Sequence, residues 1–341
     1  MLARVVLAAL ALLAAWPAHS FALTIVTRDE ATQAAIAEAY AQPFTAATEI
    51  AVHQDSWDGA MDTLHAKATE AGWDLIQVSA DELAAGCGDG TFEKLDWSAI
   101  GGKDHYVSMA VNDCGIGMIL HNSVLAWDRD KFQATPTWAD FWDVAKIPGK
   151  RGLAKSVRGA LEFALLADGV ATGDIYKTLG SSDGVDRAFR KLDQLKPYIV
   201  WWQTPAEAAK ILGSGDVLMT ATPSDVIVMA NRNEKRNFGI QFAGSLYEPR
   251  SFAIMKGAAN LREAQQFLYI SGAPSLQARL FRGSGDVGLA KGANDWLTPE
   301  QQALSPTFPA NTAGALRVDN GFWHDNLAKL RTRFEAWLAQ Q

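Results

Sequence analysis

The N-terminal part of the chain alternates short β-rich runs with helical stretches. β-rich runs occur at Leu23–Thr27, Thr48–Val52 and Trp73–Val78, and apolar helical stripes lie between them at Ala35–Tyr40 and Met61–Ala71. This order is typical of a parallel sheet with crossover helices, because parallel strands need a long connection. The sequence therefore predicts an α/β protein.

A second α/β unit is expected after Trp127. Helices are predicted at Leu161–Leu166 and Val185–Leu192. The predicted strands of this unit are Ile199–Trp202, Val217–Thr220 and Gly239–Phe242. The segment from Leu246 to Met255 is expected to carry the chain back to the first unit.

The last segment predicts one docked helix. Trp323, Leu327, Leu330, Phe334 and Trp337 recur at helical spacing and form a single apolar stripe. The chain is therefore divided into a signal peptide (1–22), the first part of lobe 1 (23–128), lobe 2 (129–246), and a return to lobe 1 with C-terminal helices (247–341).

The first residues are typical of an export signal. Arg4 is followed by the apolar run Val5–Ala15, Pro17 interrupts it, and Ser20 and Ala22 place small residues before a cleavage point. A membrane anchor is the alternative, but a span needs about 20 apolar residues. We expect a mature protein located in the periplasm.

Export changes the interpretation of the two cysteines. In an oxidising compartment, Cys87 and Cys114 are expected to form a disulfide. Two separate buried thiols are the alternative. Neither cysteine has a second ligand nearby at zinc-like spacing, so no metal site is predicted.

Composition and motifs exclude several function classes. With 31 Lys and Arg against 38 Asp and Glu, the net charge is −7, and no basic cluster suits nucleic acid. No H-E-x-x-H or Walker motif occurs, so neither an enzyme nor a cofactor is expected. An exported enzyme and a ferric-ion binder remain as alternatives, although iron would favour paired tyrosines. An exported two-lobed chain without catalytic motifs suggests capture of a small solute.

Several segments together carry a resemblance to a known family. They are Trp73–Ile76, Lys94–Trp97, Cys114–Gly117, Pro148–Arg151, Leu161–Val170 and Ile199–Trp202. The chain resembles the periplasmic solute-binding proteins of ABC importers, in the spermidine/putrescine-binding group. The resemblance implies a two-lobe type II binding-protein fold with a hinged cleft, delivery to a permease powered by a separate ATPase, and a monomer. It also implies a Cys87–Cys114 pair.

The ligand class follows less directly from the resemblance. A polyamine is the ligand that the group implies, held by carboxylates and aromatic faces. By alignment, however, Arg250 stands where the family has Asp, and an acidic pair is lost around Ser156–Arg158. Arginines suit a carboxylate, which they hold with two parallel hydrogen bonds. An amino acid, an ω-amino acid or a small organic acid is therefore the alternative.

The candidate ligand-binding residues follow predicted strands or match family positions. Arg28 and Ser79 follow strands, Trp57 lies in a loop after one, and Asp286 offers a partner for an amine. The full predicted set is Arg28, Trp57, Ser79, Arg158, Trp202, Thr220, Arg250 and Asp286.

Overall fold

The computed structural model describes residues 22–28, 30–70 and 72–340. The strands are β1 (Ala22–Thr27), β2 (Ala51–Ser56), β3 (Leu75–Val78), β4 (Gly115–Asp128), β5 (Arg151–Ala154), β6 (Ile199–Trp202), β7 (Met219–Thr222), β8 (Phe238–Ile254) and β9 (Leu316–Arg317). The predicted signal peptide lies outside the described residues except for Ala22, which begins β1. Within those residues, no helix combines the length and apolarity that a membrane span requires.

The helices connect these strands and cover the sheet. They are α1 (Glu30–Ile36), α2 (Gln42–Thr48), α3 (Met61–Glu70), α4 (Ala80–Gly88), α5 (Trp138–Trp142), α6 (Val157–Ala167), α7 (Ile175–Leu179), α8 (Ser182–Leu195), α9 (Pro205–Ser214), α10 (Ser224–Asn233), α11 (Leu261–Ser271), α12 (Pro274–Gly283), α13 (Pro299–Leu304), α14 (Pro309–Thr312) and α15 (Asn320–Ala339). Side chains close several helix starts: the Oγ of Ser79 accepts from the Glu82 amide at α4, and Thr204 caps α9 in the same way.

One sheet runs through both lobes. In the described part of the chain its order is β2-β1-β3-β8-β4-β7-β5-β6, with β9 beside β8. β1, β2 and β3 are parallel, as are β5, β6 and β7, which agrees with the predicted crossover pattern. The long antiparallel strands β4 and β8 pair from Gly115 and Ala253 to Asp128 and Phe238. They connect the two parallel sets.

Each parallel set has its own apolar core. The first lobe packs β1 and β3 with helices from both ends of the chain, including α11 and α12 through Phe267 and Leu280. The second lobe packs α5, α6 and α8 together with α15, whose Trp323 and Phe334 are buried there. The predicted C-terminal stripe therefore docks on the second lobe, while residues between 255 and 290 pack on the first.

Several predictions are confirmed and others are shifted or absent. The α/β two-lobe fold is confirmed, and Cys87 and Cys114 form a disulfide with their Cα atoms 5.7 Å apart. The strand predicted at Thr48–Val52 begins instead at Ala51, because α2 continues to Thr48 and ends at Glu49 with positive φ. Strands β4 and β5 had not been predicted.

Candidate ligand cleft between the lobes

A cleft lies where the parallel strands of both lobes end. Ligands bind at the carboxyl ends of strands in open α/β sheets, and this cleft follows that rule. It consists of a main cavity of about 960 Å³ and a side cavity of about 170 Å³. His121, Asn122 and Pro223 line both cavities, so the two adjoin each other.

Pairing of β4 with β8 determines the floor of the cleft. Ile119 is opposite Arg250 and His121 is opposite Glu248. Directly opposed residues share a face of an antiparallel pair, and alternation keeps residues two apart on that face. Arg250 and Glu248 therefore point to the same side as His121, and all of them line the cavities.

Basic side chains line the main cavity. They are Arg28, directly after β1, Arg250 on β8, Lys210 and Arg236. Arg28 forms an ion pair with Glu82 and lies over the Trp57 ring, with its Cζ 5.1 Å from the ring centroid. Burial, reinforced by the charges of Arg250 and Arg28, lowers the pKa of His121 to about 3. His121 is therefore neutral at physiological pH and leaves the positive charge to the arginines.

Acidic side chains line the same cavity. Asp225 does so from the start of α10, Glu234 from its end, and Asp286 from the loop after α12. Asn122 fixes the start of α10: its Nδ2 donates to the Ser224 Oγ, and its Oδ1 accepts from the Ser224 amide, each at 2.9 Å. Asp225 is thereby held in the first turn, where the helix dipole favours a carboxylate.

Arg158 connects the lobes beside the side cavity. Its Nη2 contacts the Asp81 Oδ2 of α4 at 2.6 Å, and its Nη1 is 3.8 Å from the Glu248 Oε2. The backbone leaves helical geometry at Arg158, and Gly159 follows with a φ of +91°, a conformation that favours glycine. Burial raises the pKa of Glu248, although Arg250 and Arg158 oppose the shift.

The cleft brings together five of the eight predicted ligand residues: Arg28, Arg158, Trp202, Arg250 and Asp286 line one of the two cavities. Trp57 is buried in the first lobe, Ser79 caps α4, and the hydroxyl of the fully buried Thr220 donates a hydrogen bond to the Gly152 carbonyl. These three residues are not among those that line the cavities.

Sequence reasoning missed other residues that line the cleft, namely Gln77, His121, Asn122, Asp225 and Glu248. Two of them carried a usable signal. Gln77 belongs to a predicted strand, and Asp225 follows the end of another, where a polar side chain reaches the cleft. His121 and Asn122 carried none, because β4 itself was not predicted.

Comparison with known proteins identifies the family. The model of the family described as "Bacterial extracellular solute-binding protein" matches residues 39–311. The chain belongs to this family. The gamma-aminobutyric acid-binding protein of Pseudomonas aeruginosa is 39% identical, with 99% of this chain and 96% of that protein covered.

Solved structures of other solute-binding proteins have the same fold. An ABC transporter substrate-binding protein from Bradyrhizobium japonicum superposes with a TM-score of 0.82 at 30% identity, covering 93% of this chain and 99% of the other. The Atu4243-GABA receptor gives the same TM-score at 28% identity, covering 94% and 98%. This solute-binding protein is accordingly a substrate-binding component of the ABC-transporter type, a class of non-enzymatic transport proteins. Its family works outside the cytoplasm.

The subgroup assigned within the family needs correction. The resemblance pointed to the spermidine/putrescine group, but these similarities do not support polyamine specificity, and the 39%-identical relative is named for gamma-aminobutyric acid. They favour the amino-acid alternative that Arg250 suggested.

Proposed function

We propose that this solute-binding protein captures gamma-aminobutyric acid (GABA), or a closely related ω-amino acid, and delivers it to an ABC permease. One observation carries the proposal: Arg28 and Arg250 line the same cavity as Asp225 and Asp286. A cavity with charges of both signs suits a ligand with both charges. The name of the 39%-identical relative supports the same ligand class.

The proposed roles follow from charge. Arg250, with Arg28 nearby, receives the carboxylate, because a guanidinium presents paired donors in the geometry of a carboxylate. Asp225 and Asp286 receive the ammonium group. A polyamine has only cationic ends, so one would face Arg250 in a water-poor cleft, where like charges repel strongly.

The remaining parts of the proposal concern the cell. We propose export by the signal peptide 1–22 to the periplasm, a monomer, and lobes divided near residues 128 and 246. A ligand that contacts both lobes favours the closed arrangement by the contacts that it gains there. The permease is expected to recognise that arrangement.

Isothermal titration calorimetry tests the ligand class. The mature protein is titrated with GABA, β-alanine, succinate, putrescine and spermidine. We expect GABA to bind more tightly than succinate, which lacks the amine, and than either polyamine, which lacks the carboxylate. Binding of putrescine without binding of GABA would refute the proposal and restore the polyamine assignment.

Matched variants test the residue roles. Arg250→Gln is expected to weaken GABA binding at least about 30-fold, because losing one partner of a buried charge pair costs about 2–5 kcal/mol. Arg333→Gln is the control, since Arg333 pairs with Asp186 on α8, away from the cleft. If Arg250→Gln and the control bind GABA with equal affinity, Arg250 does not contact the ligand.

A further inference from the structure

The side cavity differs in character from the main one. Leu153, Phe163, Trp202, Leu246 and Val318 give it a largely apolar lining. It adjoins the main cavity at His121, Asn122 and Pro223. A substituent on a ligand in the main cavity therefore has an apolar space beside it.

Its size sets the kind of group that fits. The side cavity holds about 170 Å³. A protein cavity of about 150 Å³ lined by apolar side chains is large enough to bind benzene. Arg158 and Glu248 are the charged residues of its lining, and Arg158 is already paired with Asp81 and Glu248. A charged end of GABA would have to displace these pairs in order to bind there. A six-membered ring or a branched alkyl group fits this space in both volume and polarity.

Trp202 adds a hydrogen-bond donor to the lining of this cavity. Its side chain is 7% exposed, and its Nε1–H has no hydrogen-bond acceptor among the described residues. Four other tryptophans of the second lobe do have acceptors, at 2.7–3.0 Å: Trp138, Trp142, Trp323 and Trp337. A buried indole N–H normally finds a partner. The Trp57 Nε1–H, buried in the first-lobe core, likewise has no acceptor among the described residues. The Trp202 donor is therefore available to a bound group but does not by itself require one.

We propose that the side cavity is a specificity subsite for an uncharged ring or branched substituent that carries a hydrogen-bond acceptor. The protein would then prefer a substituted ω-amino acid to GABA itself, with the acceptor paired to the Trp202 Nε1–H. This inference rests on the proposed function, which places the two charged ends in the main cavity.

Titration calorimetry compares three ligands: GABA, γ-amino-β-phenylbutyrate and γ-amino-β-furylbutyrate. The phenyl compound tests the space, and the furyl oxygen adds the acceptor. We expect both to bind at least tenfold more tightly than GABA, with furyl ahead of phenyl. Trp202→Phe keeps an aromatic wall but removes the donor, so it is expected to abolish the preference for furyl.

Two variants fill the subsite from different walls. Ala160→Leu and Ala154→Leu each add bulk to the side cavity without changing a charged residue. Each is expected to weaken binding of the aryl ligands at least tenfold and to change GABA affinity less than threefold. If thermal denaturation shows that one of the two variants fails to fold, the other variant alone provides the test.

The outcomes separate the two proposals. GABA binding that is tight and unaffected by the filling variants, with no gain from either ring, overturns the subsite and leaves the proposed function standing. Equal loss of GABA and aryl binding in the filling variants also overturns it, because GABA itself would then occupy the side cavity. Absence of GABA and aryl binding refutes the proposed function and the subsite together.

Discussion

The Arg158–Asp81 ion pair joins the two lobes and provides a sharp test of how they close. Asp81 lies on α4, which packs on the first lobe through Leu83, and Arg158 begins α6 of the second lobe. The two side chains are in contact at 2.6 Å. Because the pair joins the two lobes, Asp81→Asn should destabilise this arrangement of the lobes, and Asp81 itself lines neither cavity.

The expected magnitude follows from burial. The side chains of Arg158 and Asp81 are 23% and 30% exposed. Fully exposed pairs contribute about 0.2–1 kcal/mol, and breaking a buried pair costs about 3–5 kcal/mol. An intermediate cost of about 1–2 kcal/mol corresponds to about a 5–30-fold weaker affinity for GABA. Glu248, 3.8 Å from Arg158, remains as a second partner and places the effect at the lower end.

Calorimetric titration with GABA at low and high salt measures this effect. Wild-type affinity is expected to fall with salt, and Asp81→Asn is expected to be weaker and less salt-dependent, since screening acts on the missing pair. Asp186→Asn, which breaks the surface pair with Arg333, is the control. If Asp81→Asn lowers thermal stability but leaves affinity and its salt dependence unchanged, the pair contributes only to folding.

Three further changes have expected outcomes. The buried carboxylate of Glu162 accepts hydrogen bonds from Trp323, Tyr176 and the Gly159 amide, so Glu162→Gln should lower the free energy of unfolding by about 1–3 kcal/mol. Urea denaturation measures this, and an unchanged midpoint of the urea unfolding curve would contradict it. The pKa of His121 is lowered to about 3, so the unfolded chain takes up the proton first, and the free energy of unfolding should fall as pH falls from about 6.5 towards 3, by at most about 1.4 kcal/mol per pH unit. His121→Gln should lose less stability in acid, and an equal loss would contradict the lowered pKa of His121. Reduction of the disulfide, which closes a 27-residue separation, should lower the free energy of unfolding by about 3–4 kcal/mol. Reductant should therefore lower the melting temperature of the wild type but leave that of a variant with both cysteines replaced by serine unchanged.

The ends of predicted strands are the sequence signal that located residues of the cleft. Arg28 and Trp202 were identified because predicted strands ended beside them, and the structure places both at the cleft. Ser79 satisfied the same rule, yet its hydroxyl caps α4. A short polar residue after a strand has the same pattern whether it caps the next helix or faces a ligand. Sequence alone does not separate those two roles.

The missed strand β4 accounts for two of the cleft residues that were not predicted, His121 and Asn122. β4 is buried on both faces over most of its length, so its sequence lacks the period-two alternation of a half-exposed strand. β5 begins with Arg151, which is fully buried. Its guanidinium donates to the Phe141, Gly149 and Ile147 carbonyls. An arginine satisfied only by backbone carbonyls looks like a surface residue in a sequence.

The two strands that connect the lobes also form the floor of the cleft. β4 and β8 cross between the lobes as paired strands, and the β4 register shifts between Gly117 and Ile119 and again between Ser123 and Leu125. These shifts flank the segment that floors the cleft, and a ladder bends most easily where its bonding is interrupted. Relative rotation of the lobes would therefore be concentrated at these two interruptions, on either side of the cleft floor.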